Sequence, residues 1–283
     1  MKIHPTIEEM RAASRAARLG GLRVGLVPTM GALHEGHLSL VRAAKSQCDA
    51  VVVSIFVNPL QFGPNEDLAK YPRTFDRDCE LLAQEEVEFV FAPSPEQMYP
   101  NKSVTWVEVE GLSQRLCGWS RPGHFRGVTT VVSKLFHIVE PDLAFFGQKD
   151  AAQAAIIRRM VRDLNFAVEV VVCPIVRESD GLAMSSRNIY LNPEERKSAL
   201  VLYRALQQIR NSFEAGERNS ARLIAVGQQV LAQEAGIRLD YLEIANPETL
   251  EALPEITSAA LVAVAGFSGN TRLIDNILLT TNH

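Results

Sequence analysis

The sequence predicts an α/β protein with a doubly wound parallel sheet and a smaller α+β domain at its C-terminal end. Short apolar runs alternate with amphipathic stretches up to Val176, and this alternation then gives way to helical patterns followed by strand-like runs. Short strands alternating with longer helical patterns are typical of right-handed β-α-β units, whose parallel sheets carry helices on both faces. We therefore expect a first domain over residues 1–176 and a second over residues 177–283.

The elements of the first domain follow from this alternation. Its predicted strands are the short apolar runs Val24–Val27, Ala50–Phe56, Val87–Phe91, Leu143–Phe146 and Val168–Val172. Its predicted helices are the amphipathic stretches between them, near Leu38–Ser46, Thr74–Glu85, Val128–Val139 and Ala151–Asn165. The segment Lys102–Val109 is a further candidate for a hairpin or an edge strand.

The second domain begins with a polar, loop-like segment, Arg177–Asn192. Pro193 suits the first turn of a helix, and Asn192 suits its cap. The remaining pattern predicts a small α+β unit. Its helices and strands are expected near Pro193–Ala215, Ser220–Ala235, Leu239–Ile244 and Ala259–Val264.

Composition narrows the classes of protein that this chain can represent. The chain has 283 residues, of which 47% are hydrophobic and 22% charged, and its net charge is −4. These are the proportions of an ordinary globular protein, and no basic block marks a nucleic-acid partner. No apolar run reaches the length of a membrane span, and the first residues lack the apolar core of a signal peptide.

The cysteines point to a reducing compartment. Cys48, Cys79, Cys117 and Cys173 are far apart, and none forms a Cys-x-x-Cys pair. Zinc ribbons and redox motifs are therefore disfavoured. We expect free thiols and a cytoplasmic protein.

The segment Pro28–His37 has the pattern of a phosphate-binding turn at the start of a helix. It follows the first apolar run and places His34 and His37 three residues apart, just before a helix expected from about Leu38. A helix N-terminus carries unpaired N–H groups and a partial positive charge, which attract phosphate. Gly36 removes a side chain where a phosphate oxygen would approach. We interpret the segment as a nucleotide site, although it is neither a Walker loop nor a Gly-x-Gly-x-x-Gly fingerprint.

Two other interpretations of the histidine pair remain open. The pair could ligate a metal ion, although zinc-binding helices usually space histidines by four and need a third ligand. It could also serve only to cap the helix.

Two later loops carry side chains suited to phosphate. Lys149, in Gly147–Asp150, is a flexible point charge, and Asp150 could orient it or meet a ribose hydroxyl. Gln153 would point from the first helical turn toward the same opening. The hydroxyls and guanidinium of Met184–Asn188 could hold a polyphosphate. The alternatives are a solvated turn with a capping Asp150 and a plain Ser-rich linker.

Amide, arginine and acidic side chains complete the set of candidates. Asn58 and Gln61 follow the second strand, where amides can bind hydroxyls and carboxylates or simply satisfy a turn. The loop Ser120–Gly127 offers two arginines for an anion or for structural contacts. Asp76 and Asp78 could support Mg²⁺ or form a solvated helix face. Because ligands of open parallel sheets bind beyond the carboxyl ends of the strands, these loops are expected to share one edge.

Taken together, these motifs resemble those of the pantoate–β-alanine ligase family, the pantothenate synthetases. The resemblance covers most of residues 22–192 and reaches the C-terminal part more loosely through Thr271–Asn276. Its main segments are Pro28–His37, Ile55–Phe62, Tyr71–Thr74, Ser120–Val128 and Gly181–Asn188. It implies a Rossmann-like fold within the nucleotidyltransferase superfamily. It also implies a homodimer whose smaller domain covers the site.

The resemblance also implies roles for individual residues. The expected ATP site comprises Met30, Gly31, Ala32, Leu33, His34, Glu35, Gly36, His37, Gly147, Gln148, Lys149, Asp150, Val176, Met184, Ser185, Ser186 and Arg187. His37 would be the proton donor, and Asp78 would lie near the metal and phosphates. Gln61 would hold pantoate and β-alanine, and Gln153 would hold pantoate. The family often has Glu where Gln148 stands, and a bulky residue followed by Gln where Ala151–Ala152 stand.

The activity implied is a two-step ligation that converts pantoate, β-alanine and Mg·ATP into pantothenate, AMP and pyrophosphate through pantoyl adenylate. His34, His37, Lys149 and Arg187 are the candidate catalytic donors, and Asn58 joins Gln61 and Gln153 as a substrate-binding candidate. Two rival functions remain. A related nucleotidyltransferase would pass AMP to a phosphate acceptor, and a nucleotide sensor would bind ATP without turnover.

Overall fold

A computed structural model describes residues 1–64, 66–101 and 103–281 of the chain. The chain divides into two compact units. The first unit comprises Met1–Ser113, Arg121–Gly147 and Ile156–Pro174. The second comprises Gln114–Ser120, Gln148–Ala155 and Ile175–His283.

The first unit is built on a six-stranded sheet in which every neighbouring pair of strands is parallel. Its strands are β1 (Lys2–His4), β2 (Val24–Thr29), β3 (Ala50–Ile55), β4 (Phe89–Phe91), β5 (Leu143–Gly147) and β6 (Glu169–Cys173). Their order in the sheet is β1-β4-β3-β2-β5-β6. The chain therefore winds outward on one side of β2 and then returns to its other side. This creates a switch point between β2 and β5, where open parallel sheets bind ligands.

Both faces of this sheet are covered, as a doubly wound fold requires. The helices up to Asp163 are α1 (Ile7–Leu19), α2 (Glu35–Lys45), α3 (Phe75–Gln84), α4 (Pro95–Met98), α5 (Cys117–Ser120), α6 (His124–Val139) and α7 (Ala151–Asp163). Of these, α5 and the first residues of α7 belong to the second unit. Alternate strand residues enter two different apolar clusters: Val52 packs in the cluster that contains much of α6, and Val53 in the cluster that contains much of α2. The alternation of side chains along a strand explains this division.

The second unit has its own antiparallel sheet and its own core. Strands β7 (Ile237–Ala245), β8 (Ala259–Ser268) and β9 (Thr271–Thr280) pair in sequence order. Helices α8 (Pro193–Glu214) and α9 (Ser220–Leu231) pack against this sheet through a separate apolar cluster. The expected cap of α8 is confirmed, because Asn192 and Glu195 hydrogen-bond reciprocally to each other's backbone N–H. The predicted fold class is confirmed.

Two sequence-based predictions need correction. Helix α2 begins at Glu35, earlier than the predicted Leu38, because the His34 side chain caps it. The segment 103–109 contains no strand. Within this segment, the backbone N–H of Val107 donates to Thr130 Oγ1 of helix α6 at 3.1 Å. Lys102 lies outside the described residues.

Other elements were not anticipated at all. The sequence patterns predict neither β1 nor α1, and they do not predict the long strand β9 of the second sheet. The four cysteines are free thiols, as expected. Burial raises the pKa of Cys48 to about 11. None of the helices in the described ranges has the length and apolar character needed to cross a bilayer.

Candidate active site

The loop between β2 and α2 is held by one buried carboxylate. Asp78 of α3 is fully buried and accepts hydrogen bonds from the backbone N–H groups of Ala32 at 2.9 Å and Leu33 at 2.8 Å. The Thr74 hydroxyl donates a third hydrogen bond to it at 3.1 Å. Ala32 has a left-handed backbone with φ of 51°, and Gly31 has φ of 80°. Asp78 therefore stabilises an unfavourable backbone conformation in the segment predicted to bind ATP.

The two histidines of this loop lie side by side at the start of α2. His34 is the N-cap residue, and its Nδ1 accepts from the backbone N–H of Gly36 at 3.1 Å. His37 Nδ1 faces the backbone N–H of His34 at 3.4 Å. The two ring centroids are 4.1 Å apart. The sequence-based pairing of these rings at a helix N-terminus is thus observed.

These contacts define the tautomer of both rings. A ring nitrogen that accepts a hydrogen bond carries no proton, so the proton of each neutral imidazole is on Nε2. Both histidines are therefore arranged as Nε2–H donors beside a helix N-terminus. Donors of this kind suit phosphate oxygens.

The acidic residue between the histidines, Glu35, forms an ion pair with Arg42. Arg42, on the same helix, contacts the carboxylate of Glu35 and pairs with Glu85 at 2.6 Å. Hydrogen bonds to both carboxylates raise the pKa of the Arg42 guanidinium, which keeps it charged. One guanidinium shared by two carboxylates offsets the negative charge of Glu35 only in part.

Asn58 and Gln61 form a second cluster after β3. Asn58 is 1% exposed, and its Nδ2 donates to Gln61 Oε1 at 3.0 Å and to the Gly127 carbonyl at 3.1 Å. Its Oδ1 accepts from the Tyr99 hydroxyl at 2.8 Å and from Leu60 N at 3.3 Å. The hydrogen-bonding capacity of Asn58 is therefore used within the protein. In this geometry Asn58 orients the Gln61 side chain. A direct contact between Asn58 and substrate stays a prediction.

The backbone of Gln61 is held from the other side by the arginine loop. The Gln61 carbonyl accepts from Arg121 Nη2 at 3.3 Å and lies 2.8 Å from His124 Nδ1. Arg121 forms a two-pronged pair with Glu66, with distances of 2.7 Å and 2.6 Å. Burial alone would raise the pKa of Glu66, but hydrogen bonding and attraction to Arg121 lower it overall. In this geometry Arg121 acts structurally, one of the two roles the sequence left open.

The turn that contains Lys149 belongs to the second unit and is fixed by Asn276 of β9. Asn276 Nδ2 donates to the backbone carbonyls of Gln148 at 2.9 Å and Lys149 at 3.0 Å. Its Oδ1 accepts from the Gln148 side chain at 3.0 Å. The turn leads directly into α7, whose first turn carries Gln153, partly exposed like Lys149. The side chain of Gln148 is thus occupied within the unit.

The loop that contains Ser185 and Arg187 also lies in the second unit. Residues Arg177 and Ala183 form an antiparallel bridge, and Met184 N donates to Val176 O at 3.0 Å. Ser185 caps the short 3₁₀ helix Ser186–Tyr190. The loop is therefore an ordered hairpin followed by a helical turn, and it is not a plain linker.

The predicted site residues fall into two sets. The first unit brings together the loops after β2 and β3, and it holds Met30–His37, Asn58, Gln61, Asp78 and Gly147, the last residue of β5. The Gln61 amide nitrogen lies 3.2 Å from Met30 Sδ, which joins the two loops directly. The second unit holds Gln148, Lys149, Asp150, Gln153, Val176 and Met184–Arg187. Within each unit the predicted residues occupy neighbouring or mutually braced loops.

Sequence reasoning missed the residues that support this site. Tyr99, Arg177, Asp275 and Asn276 make the contacts that hold its loops, yet none was a candidate. A usable signal was present: an Asp-Asn pair interrupts an otherwise apolar C-terminal run. Polar residues in such a run are buried and need partners.

The described residues offer no ready-made cage for a metal ion. No group of three or more His, Cys, Asp or Glu side chains within 1–64, 66–101 and 103–281 is arranged to hold one. Both oxygens of Asp78 already accept hydrogen bonds from the loop between β2 and α2, and one of them also accepts from Thr74. Asp78 therefore holds the loop between β2 and α2 in this structure, and its place near a metal ion stays a prediction.

A family profile described as pantoate–β-alanine ligase matches residues 2–278. The chain belongs to the pantoate–β-alanine ligase family. The resemblance inferred from the motifs is thereby confirmed, and the chain is an enzyme of this ligase family.

Related proteins and structures agree with membership in the pantoate–β-alanine ligase family. The pantothenate synthetase of Koribacter versatilis is 60% identical, over 99% of this chain and 96% of the relative. That of Moorella thermoacetica is 56% identical over the full length of both chains. The crystal structure of pantothenate synthetase from Thermus thermophilus superposes with a TM-score of 0.93 at 49% identity, covering 98% of this chain and 99% of that one.

A further solved relative carries ligands. The pantoate–β-alanine ligase of Francisella tularensis, complexed with β-γ ATP and β-alanine, matches with a TM-score of 0.81 at 35% identity. The match covers 98% of this chain and 97% of that one. Family members thus share the fold of this chain along almost its whole length.

Proposed function

We propose that this chain joins pantoate to β-alanine with ATP as the energy source, through pantoyl adenylate, and releases pantothenate, AMP and pyrophosphate. The observation that carries the proposal is the loop braced by Asp78, which presents two Nε2–H donors at the start of α2. Family membership supplies the substrates, and the relative complexed with β-γ ATP and β-alanine supports two of them.

In the first step, a pantoate carboxylate oxygen attacks the α-phosphorus of ATP. The bond from that phosphorus to the bridging oxygen breaks, and pyrophosphate leaves with the electron pair. A carboxylate is already ionised at neutral pH, so this step needs no general base. It needs alignment of the reactants and donors for the charge that develops on the phosphate oxygens.

In the second step, the β-alanine amine attacks the acyl carbon of pantoyl adenylate. The new C–N bond forms as the bond from that carbon to the phosphate oxygen breaks, and AMP leaves. The amine loses a proton to give the amide of pantothenate. Because water competes for the mixed anhydride, the site must exclude it during this step.

The proposed roles follow the chemistry of each side chain. His34 and His37 donate to phosphate oxygens, and Lys149, Ser185, Ser186 and Arg187 supply further donors and positive charge. Gln61 and Gln153 bind the small substrates through amide hydrogen bonds. The remaining ATP contacts are assigned to Met30, Gly31, Ala32, Leu33, Glu35, Gly36, Gly147, Gln148, Asp150, Val176 and Met184.

Mg²⁺ enters this proposal as part of the substrate Mg·ATP. The described residues provide no cluster of metal ligands, and Mg²⁺ is commonly bound through substrate phosphates with one or two carboxylates. When bound, the cation neutralises charge on the phosphates. The position of Asp78 near that cation, homodimer assembly and cytoplasmic location stay predictions.

The proposal is tested by AMP release from pantoate and ATP, measured with and without β-alanine. We expect AMP release to depend on the amine, and pyrophosphate release in single turnovers to fall about a hundredfold or more in His37→Ala and Lys149→Ala. Loss of one such donor typically costs roughly 3 kcal/mol of transition-state stabilisation. Circular dichroism checks that both variants fold.

Each rival function predicts a different outcome of this test. A transferase that keeps AMP on a phosphate acceptor releases pyrophosphate with no requirement for an amine, and a sensor shows no turnover. Adenylate formation within tenfold of wild type in both folded variants would reject the assigned roles of His37 and Lys149.

A further inference from the structure

Strand β9 carries two adjacent polar residues that are almost completely buried. Asp275 is 5% exposed and Asn276 is 3% exposed. Successive side chains of a strand point to opposite faces of the sheet, so the side chains of Asp275 and Asn276 lie in different surroundings. Because burying a polar side chain costs free energy unless it is hydrogen-bonded, their partners indicate what the pair does.

Asn276 is buried because the Lys149 turn covers it. Leu278, the next residue on the same face of β9, is 46% exposed. The Asn276 amide makes its three side-chain hydrogen bonds to this turn: two to the carbonyls of Gln148 and Lys149 and one from the Gln148 side chain. A single side chain therefore fixes the backbone from which Lys149 projects.

Asp275 holds the second nucleotide loop through Arg177. Both carboxylate oxygens accept from the guanidinium, at 2.7 Å and 2.9 Å, in a bidentate pair. Arg177 also donates to the Gly181 carbonyl at 3.0 Å and stacks over the Tyr203 ring at 4.0 Å. The base of the hairpin 177–183 is thereby tied to β9.

The tie extends to the residues that follow the hairpin. Asn188 Nδ2 donates to the Ala183 carbonyl at 3.1 Å, and Met184 N donates to Val176 O at 3.0 Å. These bonds fix the backbone up to the residue before Ser185. The two anchors are also joined to each other, because Asn276 N donates to Asp275 Oδ1 at 2.7 Å.

We propose that Asp275 and Asn276 are positioning residues that set the spacing between Lys149 and the Ser185–Arg187 turn, and so match both sets of donors to one triphosphate. The proposal rests on the proposed function for the identity of the ligand. It assigns the pair no contact with substrate: Asn276 acts through the backbone of Lys149, and Asp275 acts through Arg177. A misplacement of about 1 Å in such a site can cost roughly a hundredfold in rate.

The test is a double-mutant cycle that combines Asn276→Ala with Lys149→Ala. If Asn276 acts through Lys149, its substitution lowers kcat/KM for ATP tenfold or more in the wild-type background and less than threefold in the Lys149→Ala background. Aminolysis of preformed pantoyl adenylate, which involves no triphosphate, stays within threefold of wild type. Leu278→Ala, on the same face of β9, is the control and leaves all these values unchanged.

A purely structural role gives a different pattern. In that case Asn276→Ala lowers the melting temperature and reduces every rate by the same factor in both backgrounds, which overturns the proposal. Should Asn276→Ala fail to fold, Asp275→Asn replaces it, because it keeps one oxygen acceptor and removes the charge that pairs with Arg177. In Asp275→Asn, kcat/KM for ATP is then expected to fall tenfold, while the rate of aminolysis stays within threefold of wild type. Equal losses in both reactions overturn the proposal.

Direct ATP binding separates this proposal from the proposed function. If the wild-type chain shows no amine-dependent AMP release, the ligase assignment fails. Calorimetry with ATP then decides the positioning role alone. A tenfold weaker Kd in Asn276→Ala than in Leu278→Ala supports it, and equal Kd values overturn it.

Discussion

The carboxylate of Asp78 shows how one buried residue can determine the shape of a ligand loop. It accepts two backbone N–H groups from a segment whose Gly31 and Ala32 have positive φ angles. A side chain built on Gly31 would lie 3.1 Å from Asp78 Oδ2. Glycine at position 31 therefore allows both the left-handed backbone and the close approach of the Asp78 carboxylate.

Asp78→Asn should loosen this loop with little change in volume. One backbone N–H would then face an amide NH₂ group, and an unsatisfied buried donor costs about 1–3 kcal/mol. We expect the free energy of unfolding to fall by that amount and kcat/KM for ATP to fall at least tenfold. Aminolysis of preformed pantoyl adenylate should change less than threefold.

Asp76→Asn is the matched control, because Asp76 lies in the first turn of the same helix and is exposed. Its stability and kinetics should equal those of wild type. An Asp78→Asn variant that keeps the wild-type ATP constants would show that Asp78 does not position the loop.

At the scale of elements, the approach of α6 to the turn Pro59–Gln61 decides where Gln61 sits. Gly127 makes this approach feasible: a Cβ atom there would lie 2.2 Å from the Leu60 carbonyl oxygen and 2.7 Å from Gln61 Cα. Asn58 then bridges the gap by donating to the Gly127 carbonyl at 3.1 Å. Helix and turn are therefore in direct backbone contact.

Gly127→Ala should force these two elements apart. Overpacking of this kind typically costs about 1–3 kcal/mol, and it would displace the Gln61 side chain. We expect a lower melting temperature and a KM for pantoate raised at least fivefold. Gly63→Ala serves as the control, because its Cβ would meet its nearest neighbour at an ordinary 3.7 Å. An unchanged KM for pantoate in a destabilised Gly127→Ala protein would contradict the role assigned to this contact.

The sequence predicts elements well where a period or a cap is local. The strands β2, β3 and β5 are mostly apolar runs. Asn192 and Pro193 indicate the start of α8. Strand β1 has three residues, too few to show a period. Strand β9 alternates buried and more exposed residues, and only the burial of Asn276 interrupts this alternation. Residue type does not follow it, because the polar Asp275 stands at a buried position and the apolar Leu278 at an exposed one.

The site was predictable to the extent that its chemistry lies in short motifs. The histidine pair and Lys149 could be found because phosphate binding needs donors next to glycines and helix starts. The supports could not be found in this way. Asp78 is 45 residues from Leu33, and Asn276 is 127 residues from Lys149, so no local pattern connects them.

At the scale of the whole molecule, the two units bury separate sets of apolar side chains. Leu26 and Leu206 are both fully buried, the first in the parallel-sheet unit and the second in the unit with β7–β9. Local opening of a protein often follows such cooperative groups. The two units should therefore differ in their response to a cavity.

Leu206→Ala should raise amide hydrogen exchange in β7–β9 and leave the amides of β2 and β3 protected, whereas Leu26→Ala should do the opposite. Each substitution removes a fully buried side chain, at a typical cost of about 2–5 kcal/mol. Exchange followed by mass spectrometry locates the effect. If either variant accelerates exchange equally in both units, the chain opens as a single cooperative body.

The position of β9 along the chain has a consequence for synthesis. Ribosomes make proteins from the N-terminus, so Lys149 and Ser185 are translated well before Asp275 and Asn276, which hold their loops. A nascent chain that still lacks this strand already contains every residue proposed to bind substrate. It lacks the contacts from Asp275 and Asn276 that hold the loops of Ser185 and Lys149. Under the proposed roles, a chain that ends before β9 would contain its substrate-binding residues but lack the two side chains that hold the loops of the second unit.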